Sequence, residues 1–399
     1  MLYWTNTTIC AKFSLSKGAY NYMENAFITK IHIGKVRHLE NIYVEISDTQ
    51  RKHLILTGKN GSGKTSLLEA MRDCVAVVQK FPSDSGIMFE IYEPAPKRLL
   101  SILFSQKPKG LDSFIFVYVP AKRSGEFDMP KAIEAVEIKE KTIVSRNASK
   151  DFLSYILNLD YQLYGAKADN NAKLEKNLTD WFDNFVDALR EIYDCQELHL
   201  QRDTKNLSFK IEMPDREPFA LHEMSDGYSA LLKIVMELLM RFESTDAVVN
   251  YEESAIVMID EIETHLHVEL QKKVLPFLTK IFPNVQFIVS THSPFVITSL
   301  ENAVIYDLEN HERLENPSFY SYDTVVESFL GVSTYSYELQ KYFARYKELC
   351  LKKRTPEEND EFLRAKAELE IRTIPSTELY IAFQELEKTR KAEKNGTPE

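Results

Sequence analysis

Leu54-Ile-Leu-Thr-Gly58-Lys-Asn60-Gly61-Ser62-Gly63-Lys64-Thr65-Ser66 is the stretch on which the rest of the chain turns. An apolar, strand-like run enters G-x-x-x-x-G-K-T, and a helix-like run, Ser66-Leu-Leu-Glu-Ala-Met, leaves it. Phosphates need many donors in a small space. Gly58, Gly61 and Gly63 let the backbone bend so that successive N–H groups point inward, which a Cβ would obstruct. The helix that follows turns its positive end toward the same anion. Lys64 suits the β- and γ-phosphates of a nucleotide, and the Thr65 hydroxyl suits Mg²⁺. Asn60, Ser62 and Ser66 complete the expected lining of the loop.

Composition narrows the class. A chain of 399 residues is one large domain with insertions, or two to three small ones. A hydrophobic fraction of 44% supports a real core and argues against wholesale disorder. The formal charge of −11 argues against bulk electrostatic binding of nucleic acid and leaves room only for a local basic patch. Residues 97–150 hold such a stretch: eleven Lys/Arg against six Asp/Glu, a balance of +5. It reads either as a solvated face or as a surface for nucleic acid or phosphate. Cys10, Cys74, Cys195 and Cys350 are far apart, form no C-x-x-C pair, and read as reduced, buried thiols. No apolar run reaches the roughly 18 residues of a membrane span, and no signal peptide opens the chain, so a cytoplasmic protein is expected. Residues 1–22 are polar and Tyr-rich and read as an extension to the fold.

The remaining periodicities indicate an α/β protein. Residues 26–33 and the run from Ile42 alternate as half-buried strands, and with 53–57 they suggest an antiparallel subsheet beside a parallel core. Residues 64–80 carry a helical stripe of Leu67, Leu68, Met71 and Val75. Residues 81–112 are broken by prolines, and the run from Ser113 to Val119 is strongly β-prone. Residues 151–194 read as a compact helical insertion, followed by two strands joined at Asp203-Thr-Lys-Asn206. Ser225 suits the N-cap of a strongly amphipathic helix. Ala255–Ile259 is a continuous apolar run, as in a strand buried on both faces, and Val285-Gln-Phe-Ile-Val289 reads as another buried strand. A helix is expected between them over 268–282, and a last core strand over 304–307. Three helical runs, roughly 335–352, 357–371 and 376–394, close the chain.

The chemistry gathers at the strand ends. Asp260 closes a buried strand and suits a Mg²⁺ partner through water. Glu261 beside it suits the base that orients and deprotonates an attacking water. His292 closes the neighbouring strand and could sense a γ-phosphate by a hydrogen bond. Glu263, His265 and His267 form E-x-H-x-H, which lacks the H-E-x-x-H spacing of a metal site and reads instead as loop positioning.

Taken in order, these segments resemble a known group. Gly58–Thr65 is similar to the Walker A motif and Ser225-Asp-Gly227 to a variant ABC signature. Ile256–Glu261 with Glu263-Thr-His-Leu-His267 resembles Walker B and its following loop, and Ser290-Thr-His292-Ser-Pro the switch-histidine segment. Together they resemble the RecF/SMC/OLD branch of ABC-type AAA ATPases, especially the small ATPases of bacterial anti-phage defence, over residues 24–310. The resemblance implies an ABC-type P-loop NTPase core: a mixed sheet with flanking helices and an antiparallel β subdomain. A helical insertion and a C-terminal helical region would be added to it. It implies ATP and Mg²⁺, with Lys64, Glu261 and His292 catalytic, Thr65 and Asp260 on the metal, and Ser225 and Gly227 completing a partner's site in a head-to-tail dimer. Expected segments are an extension (1–22), an N-terminal lobe (23–125), an insertion (126–215), a C-terminal lobe (216–322) and a helical docking region (323–399).

The chain departs from the family in three ways. Ala121-Lys122-Arg123 stands where a Gln is usual, long coiled-coil arms are absent, and no acidic D-x-D cluster of a nuclease follows residue 310. A separately encoded effector, nuclease or toxin, is the expected partner. The alternative is a RecF-like repair ATPase that binds DNA directly through 97–150.

Overall fold

The computed structural model describes residues 26–80, 99–105, 115–122, 133, 152–203, 205–242, 254–331, 333, 335–350, 352, 354–372 and 378–395. The extension 1–22, most of the basic stretch 97–150 and most of 81–112 lie outside them, as does Cys10. The chain forms two compact units, divided between Val325 and Val326.

Three sheets build the first unit. The largest runs β12-β11-β3-β10-β9-β5, in which β3 is His53–Thr57, β5 Ile115–Val119, β9 Ala255–Ile259, β10 Val285–Ser290, β11 Ala303–Asp307 and β12 Glu312–Glu315. All its pairings are parallel except β11 with β12. Its inner strands are buried at every position, which explains their largely apolar sequences. Each such Val, Ile or Leu contributes roughly 1.5–3 kcal/mol by leaving water.

The second sheet, β2-β1-β4, is antiparallel and joins Leu39–Glu45, Ile28–Val36 and Leu99–Phe104. The expected subsheet therefore has a third strand, taken from the proline-flanked region. Gln286, in the middle of apolar β10 and fully buried, joins this sheet to the first. Its Oε1 accepts the Ile28 N–H at 2.7 Å, and its Nε2 donates to the carbonyls of Ile28 and Lys52, each at 2.9 Å. An unpaired buried amide would cost a few kcal/mol, so this side chain fixes the junction of the two sheets.

Residues 152–193 form two helices, α2 (Phe152–Ala168) and α3 (Ala172–Tyr193). Phe152, Tyr155, Trp181 and Phe185 pack between them at ring separations of 5.4–6.1 Å. The meander β6-β7-β8 follows: His199–Asp203, Ser208–Met213 and Arg216–Ala220. Asp203 Oδ1 caps its first turn, accepting the N–H groups of Lys205 and Asn206. The Asn206 side chain, whose Nδ2 donates to Asp203 Oδ2 at 2.9 Å, and then the Asn206 N–H draw its carboxyl down to about 2.

Helix α1 (Lys64–Lys80) leaves the phosphate loop, α4 (Asp226–Phe242) precedes β9, α5 (Val268–Ile281) links β9 to β10, and α6 (Pro294–Ile297) follows the switch segment. A single turn, α7 (Tyr322–Thr324), ends the unit. The second unit contains α8 (Tyr337–Cys350), α9 (Pro356–Arg372) and α10 (Glu378–Asn395) around a core of Tyr346, Leu349, Phe362, Leu369 and Phe383. Cys74 and Cys350 are buried, as expected, but Cys195 is half-exposed just past the end of α3. Among the described residues no helix is long and apolar enough to cross a membrane.

Candidate functional site

Strand order assembles the site. In the sheet β10 lies between β3 and β9. The phosphate loop leaves the carboxyl end of β3, Asp260-Glu261 the end of β9, and Thr291-His292 the end of β10. Three segments far apart in sequence thus meet at one sheet edge, where open α/β sheets place their ligands.

The loop itself is held in conformations that glycine tolerates. Gly58, Gly61 and Gly63 have φ of +128°, +86° and +101°. A Cβ on Gly58 would lie 2.8 Å from Ser62 Oγ and 3.0 Å from Asp307 Oδ1, and one on Gly63 2.9 Å from the Leu39 side chain. Lys64 is buried, and its Nζ donates to the carbonyls of Gly58 at 2.7 Å and Lys59 at 3.1 Å. Burial lowers its pKa, while Glu261, Glu263, Asp260 and Asp307 oppose that shift. Thr65, Asn60 and Gly61 are exposed, whereas Ser62 and Ser66 are buried.

At the end of β9, Asp260 is buried and accepts the Ser290 hydroxyl at 2.5 Å. The same hydroxyl accepts the Glu261 N–H at 2.7 Å, and the Ser290 carbonyl accepts that of Ile262 at 3.1 Å. Glu261 needs that grip. Its φ of +44° is left-handed, a conformation costing about 1–2 kcal/mol for a residue with a Cβ. His292 is half-buried; desolvation and then the Lys64 charge lower its pKa, against an upward pull from Glu263 and Glu261. The imidazole is therefore biased toward its neutral form.

The E-x-H-x-H segment does position a loop. Glu263 Oε1 accepts the His292 N–H at 2.6 Å. His265 and His267 are exposed, and among the described residues no cluster of His, Cys, Asp and Glu could hold a metal by itself. Ser225 stands exposed at the head of α4, its carbonyl accepting the Ser229 N–H at 2.9 Å. Gly227 is buried beneath the loop after β9: a Cβ there would lie 3.0 Å from the His265 carbonyl oxygen. Lys64, Asp260, Glu261 and His292 thus gather at the ends of three neighbouring strands, and Ser225 immediately precedes α4.

Sequence reasoning passed over several supports. Asp307 ends β11 buried beneath Gly58, its Oδ1 held by the Glu309 N–H at 2.7 Å and the Asn310 N–H at 3.3 Å. The signal was present, because an acid closing an apolar strand is the pattern that marked Asp260. Lys59 pairs with Glu309 at 3.1 Å across the same gap. Leu39 beneath Gly63 left no signal in the sequence.

The family described as "AAA domain, putative AbiEii toxin, Type IV TA system" matches residues 153–298, from the insertion through the switch segment. The Septu protein PtuA of Bacillus mycoides (strain KBAB4) is 24% identical over 312 residues, 73% of this chain and 42% of that protein. The "Retron Ec83 probable ATPase" of Escherichia coli is 34% identical over 97 residues, 24% of this chain and 18% of that one. The chain thus spans less than half the length of these relatives. Among solved structures, the SMC head domain from Thermotoga maritima overlays at a TM-score of 0.37 with 14% identity, covering 70% of this chain and 94% of that one. That superposition is loose and adds nothing to the strand order. By its motifs and relatives, the chain is similar to the ABC-type AAA ATPases of anti-phage defence systems.

Proposed function

We propose that this chain binds ATP with Mg²⁺, hydrolyses it, and closes head to tail with a second copy to control a separately encoded effector in anti-phage defence. The observation that carries the reading is the convergence of Lys64, Asp260, Glu261 and His292 at the carboxyl ends of β3, β9 and β10. The site fits a metal–triphosphate: a glycine cradle that a Cβ would obstruct, a buried ammonium, and carboxylate and hydroxyl oxygens. Thr65 and Asp260 would hold Mg²⁺, which when bound supplies positive charge to the phosphate oxygens.

The chain's own residues do the rest. Lys64, with the backbone N–H groups of Gly61 and Gly63, binds the phosphates. Glu261, fixed by Ser290, orients the attacking water and takes its proton. His292 donates a hydrogen bond toward the γ-phosphate. Ser225, exposed at the positive end of α4, offers its hydroxyl and helix end to the nucleotide of a second copy. Nucleotide would then favour the closed pair, and hydrolysis would release it. The unit Val326–Glu399 is the proposed docking module for the effector. The alternative of direct DNA binding through 97–150 falls mostly outside the described residues.

The test is phosphate release by the full chain with ATP and Mg²⁺, lost in Lys64→Ala and Glu261→Gln. Light scattering of Glu261→Gln should show ATP doubling the mass of the assembly. An ATP-independent mass, in a protein that is not already an oligomer, would overturn the head-to-tail part. Pull-down of Glu261→Gln with ATP from its native host then identifies the effector.

A further inference from the structure

The loop between β9 and α5 touches two sites at once. Its far side, at His265, Leu266 and His267, packs against the signature end of α4: a Cβ on Gly227 would meet the His265 carbonyl oxygen at 3.0 Å and His267 Cδ2 at 3.5 Å. Its near side holds the switch segment by two side chains. Glu263 Oε1 accepts the His292 N–H at 2.6 Å. Gln271 donates to the Leu266 carbonyl at 2.7 Å and accepts the Ser293 hydroxyl at 2.6 Å. Ser293 in turn caps α6, accepting from Phe295 at 3.2 Å and Val296 at 3.3 Å.

The loop has little room to move. The Thr264 N–H binds the Glu261 carbonyl at 2.9 Å, the Leu266 N–H binds that of Glu263 at 2.8 Å, and His265 sits at a left-handed φ of +69°. A tight, strained turn transmits displacement instead of absorbing it. Among the described residues, the second oxygen of Glu263, Oε2, is buried without a hydrogen-bond partner, a costly place for a carboxylate oxygen.

We propose that Glu263 and Gln271 are positioning residues that fasten the His292 segment to the loop under Gly227, so that a load on the signature surface of a chain resets the switch histidine of that same chain. This rests on the ATPase reading for its purpose, but the linkage is a property of one chain without nucleotide. In a head-to-tail pair, the signature of a chain faces its partner's nucleotide. Engagement at Ser225 would shift the turn at His265, and Glu263 and Gln271 would carry the shift to His292. Each chain would then adjust its own hydrolytic site to the occupancy of its partner's.

Hydrogen exchange on the nucleotide-free full chain tests the linkage, read on the peptide Ser290–Ser293. Glu263→Ala should speed exchange there about tenfold or more, the effect of losing one charge-assisted hydrogen bond. Glu263→Gln keeps an acceptor at the same reach and should stay within about threefold of wild type. Glu263→Asp, a methylene shorter, should resemble alanine, and it replaces the alanine variant if that one does not fold. Gly227→Ala, which pushes on the His265 carbonyl from the other side, should also speed exchange at Ser290–Ser293. In hydrolysis assays Glu263→Ala should lower kcat about tenfold with little change in the affinity for ATP, and Glu263→Gln should restore it. Wild-type protection in both Glu263→Ala and Glu263→Asp, equal loss in the Gln and Ala variants, or no response to Gly227→Ala would overturn the proposal. If wild type releases no phosphate from ATP, the ATPase reading fails, while the exchange data still decide the linkage.

Discussion

The Ser290 hydroxyl donates to Asp260 Oδ1 at 2.5 Å, from the last residue of β10 to the residue that ends β9. With its other face it takes the N–H of Glu261. One fully buried residue thereby sets both the Asp260 carboxylate and the left-handed backbone of Glu261. Ser290→Ala keeps the packing but leaves the Glu261 N–H without that acceptor, a loss of about 1–3 kcal/mol. We expect kcat for ATP hydrolysis to fall roughly 10–100-fold while ATP affinity stays within about threefold. Steady-state kinetics alongside binding of a fluorescent ATP analogue separates the two.

Two loop glycines should respond differently to alanine. Gly58 at φ +128° faces Asp307 Oδ1, which backbone N–H groups hold in place, so a Cβ has nowhere to go. Gly61 at φ +86° faces open space and meets only backbone strain of about 1 kcal/mol. Gly58→Ala should therefore weaken nucleotide binding on the order of 100-fold, and Gly61→Ala by less than about tenfold. Titration with the same ATP analogue checks the ranking.

His53 gives the fold an acid-sensitive element. Its Nδ1 accepts the Phe287 N–H at 3.0 Å, and burial together with the Arg51 charge pushes its pKa down from 6.5 to about 4. The unfolded chain binds this proton at higher pH than the folded one, so the stabilisation is complete above 6.5. It is lost as pH falls toward 4. The full swing is roughly 3 kcal/mol. His53→Asn keeps a short acceptor without the titration, and urea midpoints between pH 7 and pH 4.5 should fall less steeply for it than for wild type.

In the second unit, Glu387 is buried and receives Arg390 at 2.9 Å, Lys366 at 3.1 Å and the Tyr346 hydroxyl. Removing the carboxylate strands two cations and a phenol beside an apolar core. Glu387→Ala should cost about 2–4 kcal/mol, allowing for partial exposure of both cations, and Glu387→Gln distinctly less. Faster amide exchange within α8 is the measurement.

Much of the molecule could be read from local order. The phosphate loop, the apolar strands β3, β9 and β10, the helices around them and the three C-terminal helices all announce themselves by motif or period. The strands that escaped notice, β4, β8 and β12, are each at the edge of a sheet. An edge strand is paired on one side only, so it tolerates the polar Glu-Arg-Leu-Glu of β12 and the Pro218 of β8, which lack the alternation or apolar run by which inner strands are recognised. The apolar β4 was hidden instead by the prolines on either side of it, Pro94, Pro96 and Pro108.

By itself the sequence determined which chemical groups exist: a glycine loop with Lys64 and Thr65, an acid pair at Asp260-Glu261, a histidine at 292 and a serine at 225. Each follows from residue type and spacing along a single element, where the physics is local. Only the tertiary structure decided who holds whom. That β10 enters between β3 and β9, that Ser290 spans Asp260 and Glu261, and that Glu263 fixes His292 all depend on strand order. Strand order is settled by burial over the whole sheet, and no stretch of neighbouring residues encodes it.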